Sequence, residues 1–215
     1  MERTMIRKLT FLACLLLVIP FSVNAQTFVA GTHYDVLETQ VRTRDASKVE
    51  VVEVFWYGCA HCYSFEPFVQ QWKKEKPDYV DFWSSPAIWN DTMKLHARAF
   101  YAAKALDVFD KLHDPLFTIL VVERKRLSNQ SQIEDLFADY GVDRDQFKKT
   151  FNSFSVNSQV SQADARARSY KVTGTPEVIV NGKYRVSGRS AGGQAKMMEV
   201  VDFLINLERK NLAAK

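Results

Sequence analysis

The chain opens its ordered pattern with a β-branched run over residues 49–55, Val-Glu-Val-Val-Glu-Val-Phe, which stops before Gly58. A run of this kind bounded by a glycine predicts a central strand. A helix-like run follows over residues 63–74. Residues 80–83 alternate in character and stop before Ser84-Ser85-Pro86, which predicts another strand. Residues 34–37 are a candidate short first strand. From residue 90 to about residue 170 the periodicity is helical. Leu95, Ala99, Ala102, Ala103 and Leu106 fall on one face of a helix that Asn90 or Asp91 can cap. A second helical run covers residues 109–123, with Pro115 placed to bend it. Ser131 and Glu134 have the spacing of a capping box, and Gly141 ends the helix they would start. Residues 143–151 predict a short helix, and Val156, Val160, Ala163, Ala167 and Tyr170 mark a longer one. Strands then return at residues 177–180 and 183–186. Asn181-Gly182 between them suits a type I′ hairpin turn, which needs positive φ at both central residues. Met197, Val200, Val201, Leu204 and Leu207 form the stripe of a last helix. No internal repeat or low-complexity linker interrupts this order. Strand, helix, strand, helical block, hairpin and helix together predict an α/β chain whose mixed sheet is covered by helices.

The first residues change the picture. Arg3, Arg7 and Lys8 precede an apolar stretch over residues 9–19, broken only by Thr10, that is short for a membrane span. Val23-Asn24-Ala25 supplies small residues for cleavage. Residues 1–25 are therefore expected to be an export signal that carries Cys14 away and leaves a chain starting at Gln26. An uncleaved anchor helix is the other reading, disfavoured by Pro20 and Asn24. Two cysteines then remain, Cys59 and Cys62, in a compartment that permits disulfides. A bridge enclosing two residues removes little entropy from the unfolded chain, so it is poorly placed as a staple. Without Arg3, Arg7, Lys8 and Glu2, the 29 basic and 25 acidic side chains fall to 26 and 24. That near-neutral balance gives no reason to invoke nucleic acid or an acidic membrane.

Candidate chemistry centres on Cys59-Ala60-His61-Cys62, between the predicted strand and the helix after it. Cys59 would be the first residue or the cap of that helix, where free backbone N–H groups and the helix dipole favour a thiolate. His61, in the same turn, can add charge or a hydrogen bond. Both effects lower the Cys59 pKa, and Cys62, one turn further in, is the candidate resolving thiol. A thiolate stabilised only in the reduced form makes the disulfide easier to reduce, so such a protein passes its bridge on. Zinc and a structural disulfide are the alternatives for Cys-x-x-Cys. His33, His61, His96 and His113 form no second spaced pair for a four-ligand zinc site. Glu53 interrupts the apolar strand. Turned inward it would have a raised pKa and could exchange a proton with Cys62; turned outward it is a solvated strand residue. Thr175-Pro176 precedes the hairpin strand; a cis bond there would make a sharp turn and expose the Thr175 backbone to an extended substrate, but the sequence alone does not license a cis bond. Gly188, Gly192, Gly193 and Lys196 lack the ending of a phosphate loop and are read as a loop and a helix start. His96 and His113 are read as ordinary helix residues, and Met197 and Met198 as core.

The run from Phe55 to Glu66 around the two cysteines, with Gly174-Thr175-Pro176 and Val180-Asn181-Gly182-Lys183-Tyr184, resembles the DsbA family of bacterial periplasmic disulfide oxidases. The likeness implies a thioredoxin fold over residues 26–89 and 171–215, with an inserted all-helical domain over residues 90–170. It implies Cys59 as exposed nucleophile and Cys62 as its buried partner, with no cofactor beyond their redox-active disulfide. His61 would stabilise the thiolate. Pro176 would be cis and face the disulfide, with Thr175 in the substrate-contacting loop, and Glu53 would be the buried acid. Reduced, newly exported proteins would be the substrates. A DsbB-type, quinone-linked membrane oxidase would restore the bridge. The location would be the periplasm and the state a monomer. Two departures stand out: Ala60 replaces a proline, and no lysine lies on the strand at residues 80–85 to pair with Glu53. Three rivals remain. One is an isomerase or reductase of the same fold. Another is a non-catalytic metal- or peptide-binding module, and the third is a glutathione-adduct enzyme that does not need both cysteines.

Overall fold

A computed structural model describes residues 27–213. The expected signal at residues 1–25, its Cys14 and the cleavage point before Gln26 lie outside the described residues. The sheet contains β1 (Asp35–Val36), β2 (Val49–Phe55), β3 (Val80–Pro86), β4 (Glu177–Val180) and β5 (Tyr184–Ser187). Their spatial order is β1-β5-β4-β2-β3. β2 runs parallel to β3 and antiparallel to β4, and β5 is antiparallel to both its neighbours. The sheet is mixed, as the resemblance to a thioredoxin fold implies.

Every residue of β2 is buried, as a central strand covered on both faces requires. Val49 and Val51 pack with Phe65 and Val69 of α1 (Ala60–Glu75) and with Met197 and Leu204 of α8 (Gln194–Ala213). Val52 and Val54 lie in another cluster with Met93 and Tyr170. The hairpin forms as the sequence expects, with Asn181 at φ 53° and Gly182 at φ 60°. Gly182 has a second reason to lack a side chain, because a Cβ there would collide with the Val41 carbonyl.

Between β3 and β4 run α2 (Asp91–Ala105), α3 (Phe109–Phe117), α4 (Gln130–Asp139), α5 (Arg144–Phe151) and α6 (Phe154–Ser169). Their shared core contains Phe100, Leu112, Phe117, Ile133, Phe137, Phe147 and Phe151, and it extends to Phe55, Tyr57 and Cys62. The redox motif therefore sits where helical core and sheet meet.

Several local expectations change. The β3 strand continues through Ser84 and Ser85 to Pro86, because its pairing with β2 extends to Phe55. The run at residues 109–123 is two pieces: α3 ends at Phe117 and a π-helical turn, Thr118–Val122, follows. Glu123 N–H closes that wider turn on the Thr118 carbonyl at 3.0 Å. The capping box at Ser131 and Glu134 does not form. Asn129, extended at φ −145°, accepts from the Gln132 N–H instead. Glu134 is buried and pairs with Arg144 and Lys148. A one-turn helix, α7 (Gly188–Ala191), occupies the expected loop, closed by reciprocal Ser187–Ser190 bonds. Four residues are too few to show helical periodicity.

Candidate active site

Cys59 is the N-cap of α1, and its sulfur accepts a hydrogen bond from the Cys62 N–H at 3.4 Å. As a thiol it can donate to the Thr175 carbonyl oxygen, 3.3 Å away. Both cysteines are free, so the structure holds the dithiol; Cys59 is partly exposed and Cys62 buried. The Cys62 thiol, donating to Cys59, is the largest of the influences that bring the Cys59 pKa down to about 5. The Thr175 side chain and the N–H groups of Cys62 and His61 add to it, and burial opposes them. Burial pushes the Cys62 thiol far up, and giving its proton toward Cys59 adds to that. One sulfur is thus held as an anion and the other as a thiol.

Local sequence explains the placement. Gly58 lets the chain turn into α1, because a Cβ there would collide with the Trp56 indole. Trp56 Nε1–H donates to His96 Nδ1 at 3.0 Å, so the His96 Nε2–H faces the Leu127 carbonyl at 2.9 Å. Burial lowers the His96 pKa, consistent with that neutral tautomer. The His61 imidazole is exposed. What His61 gives Cys59 is a backbone N–H bond, while its carbonyl accepts from Gln194 of α8 at 2.5 Å.

Thr175–Pro176 is a cis peptide beside Cys59. The loop borders a groove of about 660 Å³ lined by His61, Thr175, Pro176, Ser187, Gln194 and Met197 among others. Met197 serves both core and groove.

Glu53 points inward and is buried. Ser84 Oγ donates to its Oε2 at 2.9 Å, and its Oε1 has no hydrogen-bond partner among the described residues. Burial first, and the Glu66 charge second, push its carboxyl up to about 8. Ser84 is what this chain offers Glu53 on β3 in place of a lysine.

Sequence reasoning gave no role to Tyr57 or Glu66 and read His113 as an ordinary helix residue. His113 Nε2 lies 3.3 Å from Glu66 Oε1, an oxygen that also accepts from Gln70, and His113 Nδ1 lies 2.9 Å from the Tyr57 hydroxyl. Burial alone would raise the Glu66 pKa, but His113 and Gln70 bring it below the usual value. No local spacing announces this cluster, since it joins α1, α3 and the segment after β2.

A family model for the DSBA-like thioredoxin domain matches residues 80–195. A thiol:disulfide interchange protein DsbA from Pseudomonas aeruginosa is 37% identical over 205 residues, covering 94% of this chain and 97% of that protein. The chain belongs to the DsbA family of thiol:disulfide oxidoreductases. A DsbA from Azotobacter vinelandii is 38% identical over 83% of this chain and 84% of its own length. The crystal structure of Pseudomonas aeruginosa DsbA superposes with a TM-score of 0.83 at 37% identity, covering 87% of this chain and 97% of that one. DsbA-family chemistry is carried by a redox-active disulfide, and Cys59 and Cys62 are the only cysteines among the described residues of this member.

Proposed function

We propose that the protein is a periplasmic dithiol oxidase, exported by residues 1–25, that donates a Cys59–Cys62 disulfide to reduced, newly exported proteins. The opposite protonation preferences of the two sulfurs carry this reading. A substrate thiolate attacks Cys59 Sγ. The Cys59–Cys62 bond breaks, a substrate–Cys59 disulfide forms, and the Cys62 sulfur leaves and takes a proton. A second substrate thiolate then attacks the substrate sulfur of that mixed disulfide and expels Cys59 as a thiolate. The substrate loses two electrons and the protein gains them. Expulsion is easy because the leaving thiolate has the low pKa. Between a Cys59 pKa of about 5 and pH 7 lie about two units, roughly 2.7 kcal/mol. For a two-electron couple that is about 60 mV toward the oxidising side, reduced by solvent screening at the partly exposed sulfur.

In this reading Glu53, neutral near pH 7, supplies the proton that the Cys62 sulfur takes. Thr175 and Pro176 meet the substrate chain beside the nucleophile, and His61 contributes through its N–H and at the groove mouth. The helical insertion occupies residues 90–170 between thioredoxin-like segments at residues 26–89 and 171–215. A quinone-linked membrane oxidase of the DsbB type restores the disulfide, and the protein works as a monomer.

The test is oxidation of a reduced model protein by the preoxidised enzyme. Cys59→Ser abolishes it, and the wild-type reduction potential lies well above that of thioredoxin. Substantial activity in that variant, or a thioredoxin-like potential, overturns the proposal.

A further inference from the structure

We propose that Glu177 is a positioning residue whose carboxylate clamps the loop before Pro176 and so holds Thr175 against Cys59. The proposal rests on the reading that Thr175 serves the nucleophile and the substrate, and it extends that reading to a residue no motif singled out.

Glu177 is the first residue of β4 and is buried. Glutamate is a poor strand former, and burying a carboxylate is costly unless donors satisfy it. Here the side chain folds back across Pro176. Its Oε1 accepts from the Gly174 N–H at 3.1 Å, the Thr173 N–H at 3.4 Å and the Thr173 hydroxyl at 3.3 Å. Two successive backbone N–H groups aimed at one anion make a small anion-binding nest. Residues 173–174 and Glu177 flank Thr175-Pro176 along the chain, so the bonded side chain closes a ring that contains the residue touching Cys59.

The other oxygen, Oε2, makes no hydrogen bond among the described residues and is steadied by charge alone. Glu177 Oε2 lies 3.7 Å from Arg185 Nε on β5, and Arg185 Nη2 is fixed by Asp35 of β1 at 2.9 Å. The backbone of Glu177 is in register with Val54 of β2, the strand that leads into the cysteine turn. The clamp therefore references the Thr175 loop to the same strand that positions Cys59. Burial raises the Glu177 pKa, while Arg185 and the three loop donors oppose it.

Charge and reach can be separated by substitution. Glu177→Gln keeps an acceptor at Oε1 and removes the charge. Glu177→Asp keeps the charge and, one methylene shorter, cannot span to Thr173 and Gly174. Glu177→Ala removes both. Each variant is read by the Cys59 thiol pKa, from thiolate absorbance, by KM and kcat for oxidation of a reduced dithiol peptide, and by thermal stability. Expected for Glu177→Asp and Glu177→Ala is a KM about fivefold higher and a Cys59 pKa raised by about half a unit or more, because the Thr175 side chain, which helps bring the Cys59 pKa down, moves away. Glu177→Gln stays near wild type in both. If Glu177→Asp and Glu177→Ala only lose thermal stability, with KM and the Cys59 pKa unmoved, the residue is structural and the proposal falls. Should Glu177→Ala fail to fold, Glu177→Asp decides alone. A wild-type protein that oxidises no peptide overturns the oxidase reading, whereas the Cys59 pKa series still decides the clamp.

Discussion

Glu53 is the residue whose environment has the clearest consequence outside the cysteines. An acid whose folded pKa is raised binds its proton more tightly in the native state than in the unfolded one. Its contribution is fully favourable below the unfolded value near 4.5 and is lost as pH rises through about 8. The native protein therefore loses stability across that window on account of Glu53. Glu53→Gln keeps an acceptor for the Ser84 hydroxyl and removes the ionisation. Its stabilising effect should be close to nil near pH 4 and grow to a few kcal/mol by about pH 8; denaturant midpoints at the two pH values measure it. The same variant should slow oxidation of a reduced protein about tenfold if the acid delivers the proton to Cys62. Unchanged turnover would leave Glu53 a buried acid without a catalytic role. Glu53 was legible in the sequence because a charge interrupts an apolar strand. Ser84, which holds it, was not, because their contact depends on the β2–β3 register.

At the scale of elements, four of the five α-helices between β3 and β4 start where short polar side chains close the first turn, α3 after Val108 being the exception. Asn90, Asn129, Asp143 and Ser153 each accept from the N–H three residues on, contacts worth about 1 kcal/mol apiece. Asn90 was readable from its position before an apolar stripe. Asn129 was passed over for Ser131 because the capping-box spacing occurs within the first turn of a helix as readily as at its cap. The β4–β5 hairpin is the most tightly specified connection. Gly182 combines positive φ with a close approach to the Val41 carbonyl, and the Val41 N–H in turn donates to the Gly182 carbonyl at 2.8 Å. Gly182→Ala should destabilise the fold by more than about 2 kcal/mol, through strain and collision together. Equilibrium unfolding checks this, and a loss under about 0.5 kcal/mol would show that the segment around Val41 yields freely.

For the whole molecule, the decisive quantity is the stability difference between its reduced and oxidised forms. The depressed Cys59 pKa exists only in the dithiol. Its stabilising effect is fully present above the unfolded thiol value near 9 and is lost as pH falls through about 5. The reduced protein should therefore resist denaturant better than the oxidised protein at pH 7. That advantage should shrink to its acid baseline near about pH 5. A gap independent of pH over that range would mean that the Cys59 thiolate is not what drives donation. Cohesion between helices and sheet bears on the same quantity. Phe55, Tyr57 and Cys62 belong to the helical core, so the burial that keeps Cys62 protonated is supplied partly by residues far along the chain. The guanidinium groups of Arg44 and Arg166 each lie over the Trp83 ring of β3, 4.5 Å from its centroid, and the Arg166 contact ties α6 to the sheet edge.

The sequence alone determined whatever depends on neighbours within one turn or one strand. Two thiols three residues apart at a helix start, the alternation and β-branching of the strands, and the Asn181-Gly182 turn all act over distances the chain itself sets. Tertiary structure decided the rest. It placed Thr175 at Cys59 across 116 residues, buried Glu53 against Ser84, and paired His113 with Glu66. It also turned Glu177 from a strand-leading acid into the acceptor of the loop before Pro176. Burial and electrostatics accumulate over every element packed around a group, so a sulfur's readiness to be an anion can be suspected from its local spacing but is set only by the assembled fold.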